Sequence, residues 1–385
     1  MITIRSIART ALVSTLIVLG GCASMNPFSS KSARNEPAPL VNFKTSMAVS
    51  TVWSIDIGQS ANYMFTPSLF GNKLFVASAE GTVACVDIGS GKFVWRINAG
   101  TALTAGVGTD GSAVVVAGTD GTLLSFSAVD GKRRWKIQAS SEILSAPAVS
   151  RGTVVVRSQD NRIAAYDAES GVRRWFLQRP SPALALRTAA GIVIAGDDVL
   201  IAMPAGRLLA LSLANGAPRW ESVIAEPRGA TELERIADVA GTPVLAGRDV
   251  CAAAYQGRVA CGDLTTGTIR WARELSAEAG PGMDERYVFA TDERGNVHAF
   301  ARETGASQWR NTNLAWHRLS APVSFGRAVV VGDRQGYLHF LSREEGAMLA
   351  RVATDGGAIK ATPIVTGSSL IVQTDSGRLL ALAAD

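Results

Sequence analysis

The chain has 385 residues, of which 47% are hydrophobic and 18% charged, with a net charge of +5 and four cysteines. That excess is too small, and no basic stripe gathers it, for nucleic-acid binding. High apolar content with few charges suits sheets that are packed on both faces.

At the N-terminus Arg5 and Arg9 precede an apolar run from Ala11 to Leu19, with no acidic residue before Cys22. This is the pattern of a secretory signal, too short for a membrane-spanning helix. Leu19-Gly20-Gly21-Cys22 resembles the bacterial lipobox. The resemblance implies cleavage after Gly21 and acylation of Cys22 on its sulfur and its new amino group, and more than one acyl chain anchors stably. Ala23, where an aspartate would retain the protein elsewhere, implies the periplasmic face of the outer membrane. Residues 1–21 are therefore expected to be a signal peptide, leaving a mature charge of +3 after the loss of Arg5 and Arg9. Residues 22–50, small, polar and proline-containing, read as a lipidated cysteine with a flexible tether.

Residues 51–385 carry a repeat. Asp120-Gly121-Thr122-Leu123-Leu124-Ser125-Phe126 leads through Asp130-Gly131 to Trp135, and the same frame recurs with its second position at Gly81, Gly121, Asn161, Gly206, Gly257, Gly295, Gly336 and Gly377. The intervals are 40, 40, 45, 51, 38, 41 and 41 residues, a period that overrules the two or three domains such a length would suggest. Each copy holds two turns, the first read as a two-residue type I′ hairpin. A β-branched run such as Val114-Val115-Val116 precedes it, and before that a short strand entered through a step such as Ala146-Pro147.

Four short antiparallel strands per copy describe a propeller blade. The last copy stops at Asp385 without its fourth strand, whereas Val52-Trp53-Ser54-Ile55 looks like a fourth strand without a blade. The expected fold is an all-β, eight-bladed β-propeller of four-stranded antiparallel blades, closed by the N-terminal strand completing the last blade. Seven tryptophans, Trp53, Trp95, Trp135, Trp175, Trp220, Trp271 and Trp309, share one blade position and read as inter-blade staples, since a ligand would not need one per blade.

Cys85 and Cys261 share one repeat position and read as small core residues. Cys251 and Cys261 flank the Gln256-Gly257 turn in an oxidising compartment. A two-residue loop would set their sulfurs on opposite sheet faces, so that a disulfide requires a bulge or an odd loop. Of the three histidines, His298 and His339 occupy equivalent sites a blade apart, which argues against a shared metal. No CxxC, HxxxH, Gly-x-Ser-x-Gly or calcium-loop pattern occurs. We therefore expect no catalytic residue, metal or cofactor.

The tandem motif built on Gly121, Gly131 and Trp135 resembles the repeats of pyrroloquinoline-quinone-dependent dehydrogenases. Those enzymes are longer and carry an adjacent cysteine pair, which this chain lacks. Length, lipobox, tether and truncated last blade instead resemble the BamB family of outer-membrane assembly lipoproteins. So do Pro182-Ala183-Leu184-Ala185-Leu186-Arg187, Thr231 to Val239, His317-Arg318-Leu319 and Gly332-Asp333 before Gly336-Tyr337-Leu338-His339.

The resemblance implies a non-catalytic scaffold of the β-barrel assembly (BAM) complex that binds the POTRA domains of BamA and aids folding and insertion of outer-membrane proteins, with the unfolded outer-membrane proteins as a further candidate partner. It implies partner contacts at Leu184, Leu186, Arg187 and Asp238, with Ala240 standing where the family can show a second acidic residue. The alternative is a periplasmic quinoprotein dehydrogenase or a small-ligand-binding propeller. The two longest intervals independently place extra residues in the connections holding Leu184 to Arg187 and Gly229 to Asp238, where insertions on a rigid ring serve function. Leu184 and Leu186 could equally start an inner strand and be buried. Trp316 with Arg318 is a further surface candidate.

Overall fold

The computed structural model describes residues 35–385. The signal peptide and Cys22 lie outside the described residues. Strands pair into eight four-stranded antiparallel sheets, which we number as blades in chain order. Blades 1 to 7 span 68–98, 108–138, 148–178, 192–223, 239–274, 282–311 and 323–353, and blade 8 joins 364–384 to the N-terminal strand Val49–Asp56. In blade 8 Val49 pairs with Ala384, Ser54 with Leu380 and Asp56 with Arg378, so the ring closes as expected.

The physical reason for closure is visible in the core. Eight apolar clusters form, one between each pair of neighbouring blades. The last joins Leu74, Val76 and Val86 of blade 1 to Ile371, Leu379 and Ala381 of blade 8. Second and third strands such as Ala113–Ala117 and Thr122–Ser127 are almost wholly buried because both faces meet another blade.

The tryptophans act as staples. Each indole N–H donates to a backbone carbonyl in the turn before the fourth strand of the next blade, for example Trp95 to Ala128 and Trp135 to Ala168, both at 3.0 Å. The glycine of that turn lies against the ring. At Gly131, where φ is +72°, a Cβ would sit 2.9 Å from the indole of Trp95. Blade 7 carries Ala350 in the tryptophan slot because blade 8 has no such turn: the chain ends occupy that corner. Met47 packs into the same cluster as Ala350, and Ala48 and Asp385 exchange hydrogen bonds there.

The first turn of each blade corrects the two-residue reading. In blade 1 Gly81 N–H donates to Ser78 O and Ser78 N–H to Thr82 O, a three-residue loop ending in a left-handed glycine. The extra residue shifts the register by one. In blade 5 it sets Cys251 directly opposite Cys261, on one face, and they form a disulfide with a Cα–Cα distance of 4.1 Å. Cys85 at the equivalent position faces Phe75 and is a free, buried thiol.

Four antiparallel strands per blade send alternate connections to opposite faces of the ring. The first turns and the blade-to-blade connections share one face, tied by bonds such as Thr119 N–H to Ala102 O and Gln159 N–H to Glu142 O. The two longest connections, residues 179–191 and 224–238, lie on that face.

Candidate partner-binding site

The connection 179–191 is held from below at both ends. Asn161, the one frame position that is not glycine, donates through Nδ2 to Pro180 O and Ser181 Oγ, each at 3.3 Å. Its Oδ1 accepts from Arg157 Nη1 at 3.0 Å. At the far end Asp238 Oδ2 accepts the Leu186 N–H at 2.6 Å, while Oδ1 accepts the Ala205 N–H at 3.0 Å. Asp238 is only 5% exposed. Burial pushes its carboxyl up, against the two amides and the positive charge of nearby Arg157. Arg157 is itself buried with its Nε unpaired, and burial lowers its affinity for the proton.

What this framework presents is a short apolar and cationic edge. Leu184 is 44% exposed and Leu186 half-buried. The first strand of blade 4 begins only at Ile192, so neither leucine belongs to it. Arg187 reaches across to the preceding connection, its Nη2 lying 2.7 Å from both oxygens of Glu142, and Glu142 also accepts from Tyr63 Oη at 3.3 Å. The Arg187 side chain remains 63% exposed. An exposed pair of this kind holds weakly, about 0–1 kcal/mol, and exchanges readily for a partner's carboxylate.

The connection 224–238 forms its own tip. Glu234 accepts from the Ala230 and Thr231 N–H groups at 2.8 and 3.0 Å and Thr231 Oγ1 accepts from the Glu234 N–H, a capping box that stiffens the turn. Leu233 at that tip is 69% exposed.

Of the four residues expected to meet a partner, Leu184, Leu186 and Arg187 thus lie together in one connection. Asp238 sits beneath them, spending both oxygens on backbone amides. Glu142, Arg157, Asn161 and Leu233 were not singled out by sequence. A signal existed for two of them: Asn161 breaks the glycine frame, and Arg157 is the only charged residue among its repeat equivalents Ala77, Ala117, Ala202, Ala253, Thr291, Gly332 and Gln373.

A second polar cluster lies on the same face. Among the described residues one group of three side chains, His317, Asp333 and His339, could hold a metal ion. All three are buried, and Asp333 hydrogen-bonds both histidines. His317 Nδ1 lies 3.2 Å and His339 Nε2 2.8 Å from the same Asp333 oxygen. His298 instead pairs with Asp292 inside its own blade at 3.0 Å. Trp316 and Arg318 flank His317 in left-handed backbone conformations, with φ of +64° and +53°.

The profile of the family described as "Outer membrane protein assembly factor BamB" matches residues 79–311. A protein of that description from Bordetella pertussis is 42% identical over 379 residues, 98% of this chain and 97% of the relative. The chain belongs to the BamB family. A Pseudomonas aeruginosa BamB is 40% identical over 374 residues, covering 96% of this chain and 97% of its own length. The crystal structure of BamB from Moraxella catarrhalis superposes with a TM-score of 0.81 at 29% identity, over 87% of this chain and all of that one. The quinohemoprotein alcohol dehydrogenase of Comamonas testosteroni, at 14% identity and a TM-score of 0.66, over 87% of this chain and 76% of that one, shares the fold alone with this BamB-family chain.

Proposed function

We propose that this chain is a non-catalytic scaffold of the machinery that assembles outer-membrane β-barrel proteins, and that its two enlarged connections bind the POTRA domains of BamA. Lipidation at Cys22 would hold it on the periplasmic face of the outer membrane. The observation that carries the reading is the edge formed by Leu184, Leu186 and Arg187, braced from beneath by Asn161 and Asp238. A rigid apolar anchor beside an exchangeable cation is the makeup of a protein-binding hot spot. In this reading Asp238 acts through Leu186, by shaping the loop, rather than by touching the partner.

The test is capture of the purified periplasmic domains of BamA. Arg187→Glu reverses the charge facing a partner carboxylate and Leu184→Asp removes the anchor. Each is expected to weaken binding by about tenfold or more, since an anchor residue is worth roughly 2 kcal/mol. Both positions are exposed, so melting should not change. Undiminished capture by both variants would remove the site from consideration. Cys22→Ser should release the protein from the membrane fraction.

A further inference from the structure

Residues 37–47, expected to be part of the free tether, instead form a strap that crosses blade 7 before the ring-closing strand begins. Arg327 Nη2 donates to Ser46 O at 2.6 Å and Arg351 Nη2 to Val41 O at 3.1 Å, with the Arg351 guanidinium 5.2 Å from the centre of the Phe43 ring. At the start of the strap Ala38 N–H donates to Ala315 O, and the Ala38 carbonyl accepts from His317 Nε2 at 2.8 Å. The strap thus ends on the cluster of His317, Asp333 and His339.

Three segments supply that cluster. His317 lies in the connection from blade 6, Asp333 in the first turn of blade 7, and His339 in the strand Tyr337–Ser342. Blade 6 offers an internal comparison, because Asp292 and His298 hold the repeat positions of Asp333 and His339. There Asp292 Oδ2 lies 3.0 Å from His298 Nε2 and accepts from Asn296 Nδ2 at 2.7 Å, and the connection entering that blade contains no histidine. In blade 7 the place of the asparagine amide is taken by His317 Nδ1, 3.2 Å from Asp333 Oδ2. The pair of blade 6 is a group of three in blade 7. Trp316 and Arg318 deliver His317 from left-handed backbone conformations, which are strained for residues other than glycine and recur at ligand clamps.

The group has the makeup of a zinc site. Two imidazole nitrogens and a carboxylate oxygen lie within 4.8 Å of one another. Gln335 Oε1, 2.7 Å from His317 Nδ1, can supply a fourth ligand. Tetrahedral zinc, at about 2.0–2.2 Å from each ligand, holds its ligand atoms about 3.3–3.6 Å apart. Against the 3.2, 2.8 and 2.7 Å separations here, the side chains need to part by only about 0.1–0.6 Å, which lies within one rotamer well.

The outer contacts have the same character. A ligating histidine gives its other ring N–H to a carbonyl or carboxylate, and a ligating carboxylate is itself hydrogen-bonded. The Ala38 carbonyl only accepts, so His317 Nε2 carries a proton and Nδ1 is the nitrogen left to face an ion. Asp333 Oδ1 accepts the N–H groups of Gln335 and Tyr337, both at 2.9 Å, which leaves Oδ2 turned to both rings. His339 Nδ1 is buried without a partner, so that ring lacks such a brace and is the weaker of the two nitrogen ligands.

We propose that His317, Asp333 and His339 form a buried structural zinc site, with Gln335 as the fourth ligand and the Ala38 carbonyl of the strap as the outer partner of His317. The site is closed. Its three principal ligands are buried and leave no position open to a substrate, as in structural rather than catalytic zinc sites. The ion joins the connection from blade 6 to the first turn of blade 7 and fixes the ring onto which the strap is fastened. Spacing along the chain set His298 beside His339 for comparison; the fold brings His317 to His339 instead.

The test is metal binding to the purified, untagged protein after treatment with a chelator, with no partner or lipid present. Cobalt(II) is the probe. The wild type should develop visible ligand-field absorption that saturates at one ion per chain and disappears when zinc is added, and zinc should raise its melting temperature. His317→Ala and His339→Ala should each lose the absorption, whereas His298→Ala, in the equivalent pair of blade 6, should keep it. Should the first two variants fail to fold, the wild-type and His298→Ala titrations decide. A wild type that binds neither cobalt nor zinc would overturn the proposal and leave Asp333 as a hydrogen-bonded brace between two rings. So would binding that survives undiminished in His317→Ala and His339→Ala, or that is lost in His298→Ala.

Discussion

Asp238 shows why an acidic residue in a connection proposed to bind a partner need not itself be a contact. Both of its oxygens are taken by the backbone of other segments, Leu186 in the neighbouring connection and Ala205 in the first turn of blade 4. Replacing it with alanine strands two amides that have no other acceptor. We expect a loss of about 1–3 kcal/mol, the usual consequence of orphaning a buried polar group, read as a lower urea midpoint. Binding to BamA should fall in Asp238→Ala because the loop loses its shape. A conservative Asp238→Asn keeps one acceptor oxygen and should recover part of both. Equal effects from the two variants would mean that the negative charge itself matters, as a contact would require. Arg187 behaves oppositely: its exposed pair with Glu142 stabilises little, so its replacement should change binding and leave the midpoint alone.

At the scale of the element, the three-residue first turn decides the chemistry of blade 5. Because the loop holds Tyr255, Gln256 and Gly257, Cys251 and Cys261 become direct cross-strand partners. The disulfide closes a short loop, a sequence separation of 10. Chain-entropy reasoning gives it about 2–3 kcal/mol. Replacing both cysteines with alanine should lower the guanidinium midpoint accordingly, and reductant should lower the wild type but not the variant. The staples have a comparable local logic. Trp135→Phe keeps most of the buried ring yet leaves the Ala168 carbonyl in the next blade without its donor, and is expected to cost about 1–3 kcal/mol.

For the whole molecule, stability depends on joining the two ends of the chain. The strand Val49–Asp56 supplies the fourth strand of blade 8, and Trp53 supplies the staple from blade 8 to blade 1, donating to Ile88 O at 2.8 Å. A chain beginning at Ile57 would leave the strand Arg378–Ala384 with an open edge and one interface unsealed. Open edges recruit other chains. We expect that truncation to lose a cooperative melt and to elute as aggregates, whereas a chain beginning at Val49 stays monomeric. A monomeric, cooperatively melting truncation would show that the ring does not need its seam.

The sequence by itself determined the repeat, the four strands of each blade, the staple position, the closure of the ring and which two connections are enlarged. All of these follow from periodicity, turn residues and the lengths between them, which are properties of neighbours along the chain. Only the tertiary structure decided that Asp238 lies beneath Leu186, that Arg187 reaches Glu142, and that His317, Asp333 and His339 meet around a strap that begins at Pro37. Those contacts join residues 52, 45 and, between Ala38 and His317, 279 positions apart. The disulfide shows the boundary between the two kinds of information: a turn longer by one residue inverts which face a side chain occupies. A glycine at the end of the turn fits a two-residue or a three-residue hairpin loop, so spacing along the chain left the face open.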